Sequence, residues 1–466
     1  MNKKLVVLLL VLAVLAGACA GSQVNKGIQF EPETLGLTPG TSASDLNLNW
    51  YGSGDVSQVR FFNEKGTLAT TAQGTVSTLP GGRQAHKVSA KGLKPDTQYS
   101  YSVSNDGKNW SYEYSYRTAK KDHFTFAYVG DPQLTTGEQD KTSKLFSADK
   151  STAQGWKDTM AKIAAAKVDF IAGVGDQVDT ASRGDEAEYR NFFAPPGLRN
   201  IPFAPAVGNH DRHYLFINHF NLPNEQKFDP ILDAANKNDL ETGTVEAAGN
   251  YWYLYDNVLF VVLNTSGYPD SAAAAKPYID RFDKTLSAAI NANKGKYTWL
   301  FVQHHKSTAS IAQHVADKDI QYYVEAGFEK LMDKYNVDFV LAGHDHVYSR
   351  SYVMRDGKPI NTDIEKFNNP GGTIYLTATT ASGLKYYNIF DSEGLYEKSN
   401  TAYPYLVKGL AGSANYLAGN WPLSNNVPAQ HKKPEYTVID VTGNTVTFNT
   451  YDIDDTKPID SFTVTK

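Results

Sequence analysis

Five short segments of metal-ligand type, each closing a run of apolar residues, set the main constraint on this chain. They are Gly130-Asp131, Gly175-Asp176-Gln177-Val178-Asp179, Gly208-Asn209-His210-Asp211, His304-His305 and Gly343-His344-Asp345-His346. The runs before them, residues 124–129, 168–174, 203–207, 297–302 and 337–342, read as buried strands. Strands that all end in polar ligand residues place those residues together only if their carboxyl ends meet on one side of a layered α/β fold. Singly, each segment has an ordinary explanation. Gly130-Asp131-Pro132 is turn chemistry, Asp176 a helix cap, Asn209-His210-Asp211 a turn, and the histidine pair a core feature. Together, carboxylates, a carboxamide and imidazoles are the donors that hard divalent or trivalent metals take. His344 and His346, two residues apart, leave a strand end on the same side, one for each of two metals.

Between these strands the periodicity predicts a helix carrying Trp156, Met160 and Ile163 on one face, and helices near 278–292 and 320–335. A further strand is expected at 258–263. The sheets are expected to be mixed rather than wholly parallel. The alternating runs 436–440, 445–451 and 461–464 are expected to complete a second sheet. A chain of 466 residues exceeds one ordinary core, so two domains are expected. Residues 27–118 carry alternating runs at 46–50, 58–62 and 99–103, separated by Gly/Ser/Asn turns, and read as an all-β sandwich. The segment Leu93-Lys94-Pro95-Asp96-Thr97-Gln98-Tyr99 and the placement of Trp50 resemble fibronectin type III domains. The catalytic-type domain is taken as 122–466.

The net charge of −5 offers no basic face, so no nucleic-acid partner is expected. Lys3-Lys4 precede the apolar run 5–18, which is long enough for a signal peptide and too short to span a membrane. Cys19, the only cysteine, follows at once. It resembles the lipidated cysteine of a bacterial lipoprotein, with Ala16 where that motif prefers Leu; simple cleavage after Ala18 is the other reading. Residues 19–26 then form a tether. The expected location is outside the bacterial cytoplasm, on a membrane or cell surface if lipidated, otherwise periplasmic or secreted. One thiol excludes an internal disulfide.

The order Gly-Asp, Gly-Asp-x-x-Asp, Gly-Asn-His-Asp, His-His, Gly-His-x-His resembles the calcineurin-like metallophosphoesterases. The stretch Gly343-His344-Asp345-His346-Val347-Tyr348-Ser349-Arg350 is most similar to the purple acid phosphatases. The resemblance implies a multidomain chain: a fibronectin-like sandwich followed by a layered α/β/β/α domain with mixed sheets. It also implies two metal ions, with Fe, Mn or Zn as candidates. One would be held by Asp131, bridging Asp176 and His346, and the other by Asp176, Asn209, His304 and His344. His304 is preferred to His305 because the family's ligand directly ends its strand; His305 then supports the site or lines the substrate rim. His210 resembles the family's histidine beside the leaving group.

Two positions depart from the pattern. Gln133 stands where many relatives place a histidine ligand, and is a metal ligand or a support. Asp179 stands where purple acid phosphatases have a tyrosinate, so it is expected to orient a ligand, and the charge-transfer colour should be absent. Asp211 and Arg350 are expected near substrate or behind the ligands, with packing or support behind the ligands preferred for Arg350. The implied reaction is attack of metal-bound hydroxide on a phosphorylated small molecule, a monoester by preference and a diester or nucleotide as the alternative. A lipid-anchored surface interaction protein with a vestigial hydrolase domain is the alternative of another class. Substrate choice is expected to reside in 134–152, 221–250 and 385–433.

Overall fold

The computed structural model describes residues 29–136, 152–179, 186–211, 214–231, 248–312, 314, 317–361, 363, 365–383, 385–387 and 432–466. The leader, Cys19 and the tether lie outside the described residues, as do most of 134–152 and 385–433 and part of 221–250.

Seven strands between Glu33 and Arg117 form the N-terminal all-β domain, and the long strand Leu68–Thr78 pairs with neighbours on both sides. Leu46–Gly52, Gln58–Asn63 and Gln98–Ser104 are where alternation places them. Their inward residues Leu48, Trp50, Val59, Phe61, Tyr101 and Val103 are wholly buried. Trp50 donates its indole N–H to Asn105 Oδ1 at 2.6 Å. The Tyr99 hydroxyl accepts the Lys94 N–H at 3.0 Å, pinning the turn before its own strand. This sandwich is docked on the second domain through polar as well as apolar contacts. Asn47 donates to Asn221 O at 2.7 Å, Tyr101 donates to Arg199 O at 2.7 Å, and Arg83 pairs with Glu186 at 2.6 Å.

Among the described residues, the second domain has two large sheets packed face to face, with helices outside each, and a small hairpin, Val353–Arg355 with Lys358–Asn361. The first sheet runs, in spatial order, Phe203–Pro205, Phe170–Gly173, His123–Val129, Glu435–Thr442, Thr445–Asp452, Asp460–Thr465 and Lys366–Asn368. The second runs Tyr251–Tyr255, Val258–Val262, Trp299–Lys306, Phe339–Gly343, Ile374–Thr377 and Ser349–Arg350. Both are mixed: Phe170–Gly173 lies parallel to His123–Val129, and Glu435–Thr442 antiparallel to it. The three tail strands therefore extend the sheet begun by the domain's first strand. The expected helix at 320–335 is two helices, Lys318–Glu325 and Phe328–Tyr335, broken at Gly327, whose φ is 105°.

Between the sheets lies a dry aromatic layer. Phe126 stacks on Phe170 at 5.0 Å, and Phe301 packs on Phe339 at 4.6 Å. Truncating a phenylalanine in such a layer costs about 3–5 kcal/mol. Strand parity decides who enters it. Trp299 and Phe301 belong to the inter-sheet core, whereas Leu300 and Val302 belong to the core beneath the helices. The inter-sheet layer is apolar until the strands reach their carboxyl ends.

Candidate metal centre

At those ends the loops after five strands converge. Asp131 follows His123–Val129, Asp176 follows Phe170–Gly173 and Asn209 follows Phe203–Pro205. The histidines sit at the ends of Trp299–Lys306 and Phe339–Gly343. Two glycines permit the approach: a Cβ on Gly208 would lie 2.0 Å from Asp176 Oδ1, and one on Gly343 would lie 2.4 Å from Asp131 Oδ1. Four non-glycine residues here, Gln133, Asp176, His344 and His346, hold φ of 43°, 49°, 73° and 45°. A left-handed residue costs on the order of 1–2 kcal/mol, and such strain gathers at functional sites.

His305 Nε2 is the hub of one half of the pocket. It lies 3.0 Å from Asn209 Oδ1, 3.3 Å from Asp176 Oδ2 and 3.2 Å from His344 Nδ1. Its Nδ1 donates to Val174 O at 2.8 Å, which turns Nε2 into the pocket. In the other half, His346 Nε2 lies 3.0 Å from Asp131 Oδ2, while Nδ1 donates to Lys385 O at 2.8 Å. Asp131 is itself braced: its carboxylate accepts the His344 backbone N–H at 3.0 Å, and its carbonyl accepts Thr380 Oγ1 at 2.9 Å. Asp131, Asp176, His305 and His346 are all at most 2% exposed.

Burial alone depresses the His305 imidazole, but Asp176 and then Asp131 outweigh it and push it up to about 9. Burial also opposes ionisation of Asp176, yet His305 and His210 pull it below the usual carboxylate range. The carboxylates thus call for positive charge at the point where the ring nitrogens aim, and a cation meets that call as well as a proton does. One donor atom from each of Asp176, His305 and His344 lies within 4.8 Å of the others. Oxygen and imidazole donors, fixed from behind by backbone carbonyls, fit a first-row metal pair.

His304 is not among them, which corrects the sequence expectation. It shares the helix-facing side with Leu300 and Val302, and its ring packs 4.8 Å from Phe328. Burial, and then His305, push it down to about 3, so it stays neutral. Being the first residue of the pair did not decide the matter; strand parity did. Arg350 packs at the seam between the sheets. Its guanidinium pairs with Asp460 at 2.8 and 3.0 Å and covers Phe462 at 4.2 Å, joining the second sheet to the first. Tyr348 donates to the same carboxylate at 2.8 Å. Asp211, wholly buried, is an internal brace rather than a rim residue: it accepts the N–H groups of Gly208 at 2.9 Å and Gln177 at 3.1 Å.

His210 occupies the open side. Its backbone N–H donates to Asp176 Oδ1 at 2.9 Å, and its Nδ1 lies 2.5 Å from Asp179 O. With Nδ1 anchored, Nε2 lies 4.0 Å from Asp176 Oδ2, on a side chain 30% exposed. Asp179 sits between it and Gln133, whose Nε2 donates to Asp179 Oδ1 at 2.9 Å. Sequence reasoning missed His314. Its ring lies 4.4 Å from that of His344 and 4.4 Å from that of Tyr387, with Nδ1 2.6 Å from Asp317 Oδ2. It lies in the loop after Trp299–Lys306, well past the strand end, and only its residue type could have drawn attention. The base of that loop is fastened by the buried Lys306, which donates to Gly267 O at 2.8 Å and pairs with Asp319 at 2.5 Å.

An all-β domain followed by an α/β domain with mixed sheets is the arrangement that the comparisons with known proteins match. Residues 124–348 match the family model for calcineurin-like phosphoesterases, and residues 32–118 match that for the purple acid phosphatase N-terminal domain. Among curated proteins the chain is similar to "Probable inactive purple acid phosphatase 1" of Arabidopsis thaliana, at 22% identity over 63% of this chain and 48% of that protein. It is also similar to human "Acid phosphatase type 7", at 24% identity over 70% of this chain and 72% of that protein. The chain thus spans about half the length of the Arabidopsis relative. Among solved structures, the yellow lupin purple acid phosphatase PPD1 superposes with a TM-score of 0.63 at 15% identity, over 93% of this chain and 74% of that one. PhoD superposes with a TM-score of 0.54 at 11% identity, over 90% and 86%. These likenesses establish the fold.

Proposed function

We propose that this chain is a two-metal phosphoesterase acting on phosphate monoesters of small molecules. The observation that carries the reading is the convergence of Asp131, Asp176, Asn209, His305, His344 and His346 below an imidazole, His210, that is partly open to solvent. Asp131, Asp176 and His346 would hold one metal, and Asp176, Asn209, His305 and His344 the other. Such a pair, when bound, acidifies a water and polarises the phosphate oxygens.

The chain's own residues do the rest. Asp176 receives N–H and imidazole contacts that keep its carboxylate ionised and fixed between the two halves. Asp179 O holds His210 Nδ1, so that Nε2 delivers a proton to the leaving oxygen. This role is worth roughly 10²–10⁴ in rate. His314, oriented by Asp317, stands on the far side of His344 as a second imidazole for the phosphate.

The experiment is metal analysis of the purified protein, joined to hydrolysis of p-nitrophenyl phosphate and of its bis-ester. About two metals per chain with monoester turnover supports the reading. Bis-ester preference would make the enzyme a diesterase. An empty pocket would make it a vestigial hydrolase on a surface protein, a reading to which the names of the Arabidopsis relatives lend some weight. His210→Ala is expected to keep its metals and lose turnover.

Export belongs to the same proposal and rests on Lys3-Lys4, the apolar run 5–18 and Cys19. Lipidation at Cys19 would make the membrane a partner. The wild type should then partition into detergent in a phase separation, and Cys19→Ser should not.

A further inference from the structure

The helix Tyr214–His219 starts three residues beyond Asp211, so it continues the loop that carries Asn209 and His210. Three residues span at most about 11 Å, which leaves the loop little slack against a shift of the helix. The loop is also closely fitted: Asn209 Oδ1 meets His305 Nε2 at 3.0 Å, and the His210 N–H meets Asp176 Oδ1 at 2.9 Å. A helix of 6 residues is too short to hold itself, so its place is set by what packs on it. Leu215 and Phe216 are buried in the second domain, but the far end of the helix is held by the N-terminal domain. His219, wholly buried, stacks between Tyr51 of the sandwich at 4.4 Å and Tyr189 of the second domain at 4.1 Å. Its Nε2 lies 2.8 Å from Glu186 Oε2, and Glu186 pairs with Arg83, whose guanidinium lies 4.9 Å from the centre of the Tyr51 ring. Lys87, on the sandwich strand Gln84–Ala90, donates to Ile217 O, a carbonyl in the last turn of the helix. Just beyond it, Asn221 donates to Val88 O at 2.9 Å.

We propose that the N-terminal domain is a clamp on the metal centre: Tyr51 and Lys87 fix the end of this helix, and His219 is the positioning residue that sets Asn209 and His210 in place. A ligand must sit within about 0.2 Å of its place to bind well, so a helix that drifts would weaken the metal that Asn209 holds. The same drift would loosen the His210 backbone from Asp176 and misplace its ring. The metal part of the inference rests on the two-metal reading above.

The test is amide hydrogen exchange and calorimetric Mn²⁺ titration of the full chain after chelator treatment, with p-nitrophenyl phosphate kinetics beside them. Tyr51→Leu removes the ring stacked on His219, and Lys87→Met removes the contact to the helix end while keeping the aliphatic stem. Val103→Ala weakens the sandwich core away from the clamp. The first two are expected to speed exchange of the His210 amide, to weaken one of two Mn²⁺ sites about 2–30-fold, and to lower kcat more than they raise KM. Tyr51→Phe, which keeps the ring, should match the wild type. Val103→Ala should lower the melting temperature and leave the three readouts unchanged. Lys87→Met carries the test where Tyr51→Leu does not fold. Wild-type exchange and wild-type Mn²⁺ affinity in the clamp variants would overturn the proposal, as would equal changes in Val103→Ala. No Mn²⁺ uptake by the wild type would overturn the two-metal reading alone, because the His210 amide still reports the clamp.

Discussion

On strand Trp299–Lys306 one face carries Trp299, Phe301, Gln303 and His305, and the other carries Leu300, Val302 and His304. The first face meets the opposite sheet: Gln303 donates to Gly173 O and Ala204 O at 2.7 Å, and His305 to Val174 O at 2.8 Å. The second face meets the helices, where His304 packs on Phe328 and Glu329 is buried on the same helix. Two neighbouring imidazoles on one strand therefore differ in every property that matters for a metal. One is drawn up to about 9 by carboxylates, and the other is driven down to about 3 by burial and its charged neighbour. Adjacent residues on a strand belong to different layers, and the layer sets the chemistry.

The sharpest way to break this contrast is His305→Ala. It should lower metal affinity on the order of 100-fold or more and take turnover with it, as metal analysis and p-nitrophenyl phosphate hydrolysis would read. Retention of both metals would return the ligand role to His304. The next effect belongs to the seam between the sheets. Arg350→Ala strands Asp460 and should destabilise the fold by about 3–5 kcal/mol in denaturant titration, with metal content unchanged.

The helix side predicts a pH effect of opposite character. Burial pushes the Glu329 carboxyl up from 4.5 to about 7. A raised folded value means that the native state keeps a proton the unfolded chain releases. Stability is therefore lost as pH rises from about 4.5 through about 7, and no further above it. Glu329→Gln should match the wild type near the lower limit and exceed it by on the order of 3 kcal/mol at about pH 8. The smallest effect is expected for His304→Phe, a swap of ring for ring among apolar neighbours. It should change stability by less than about 1.5 kcal/mol and leave metal content and turnover untouched.

Much of this was legible in the sequence because strands and ligand segments follow one another locally. The apolar runs before Asp131, Asp176 and His344 became strands, and the alternation at 46–50, 58–62 and 99–103 became the sandwich. Gly208 and Gly343 mark close approaches by carboxylates, which only the packed structure reveals. Other features had no local signal. Gly327 split a helix that periodicity reads as continuous, and His314 reached the pocket on a loop without regular pattern.

The residue types of the centre, their order and the strands that deliver them were determined by the sequence itself, because apolar periodicity and turn chemistry act over a few residues. Tertiary structure alone decided which of His304 and His305 enters the pocket, since that depends on which face of the strand meets the second sheet. It also decided that Arg350 serves Asp460, 110 residues away, and that the Gln133 amide nitrogen meets the Asp179 carboxylate, 46 residues away. Those outcomes depend on what lies across a packed interface, and local periodicity carries no record of that.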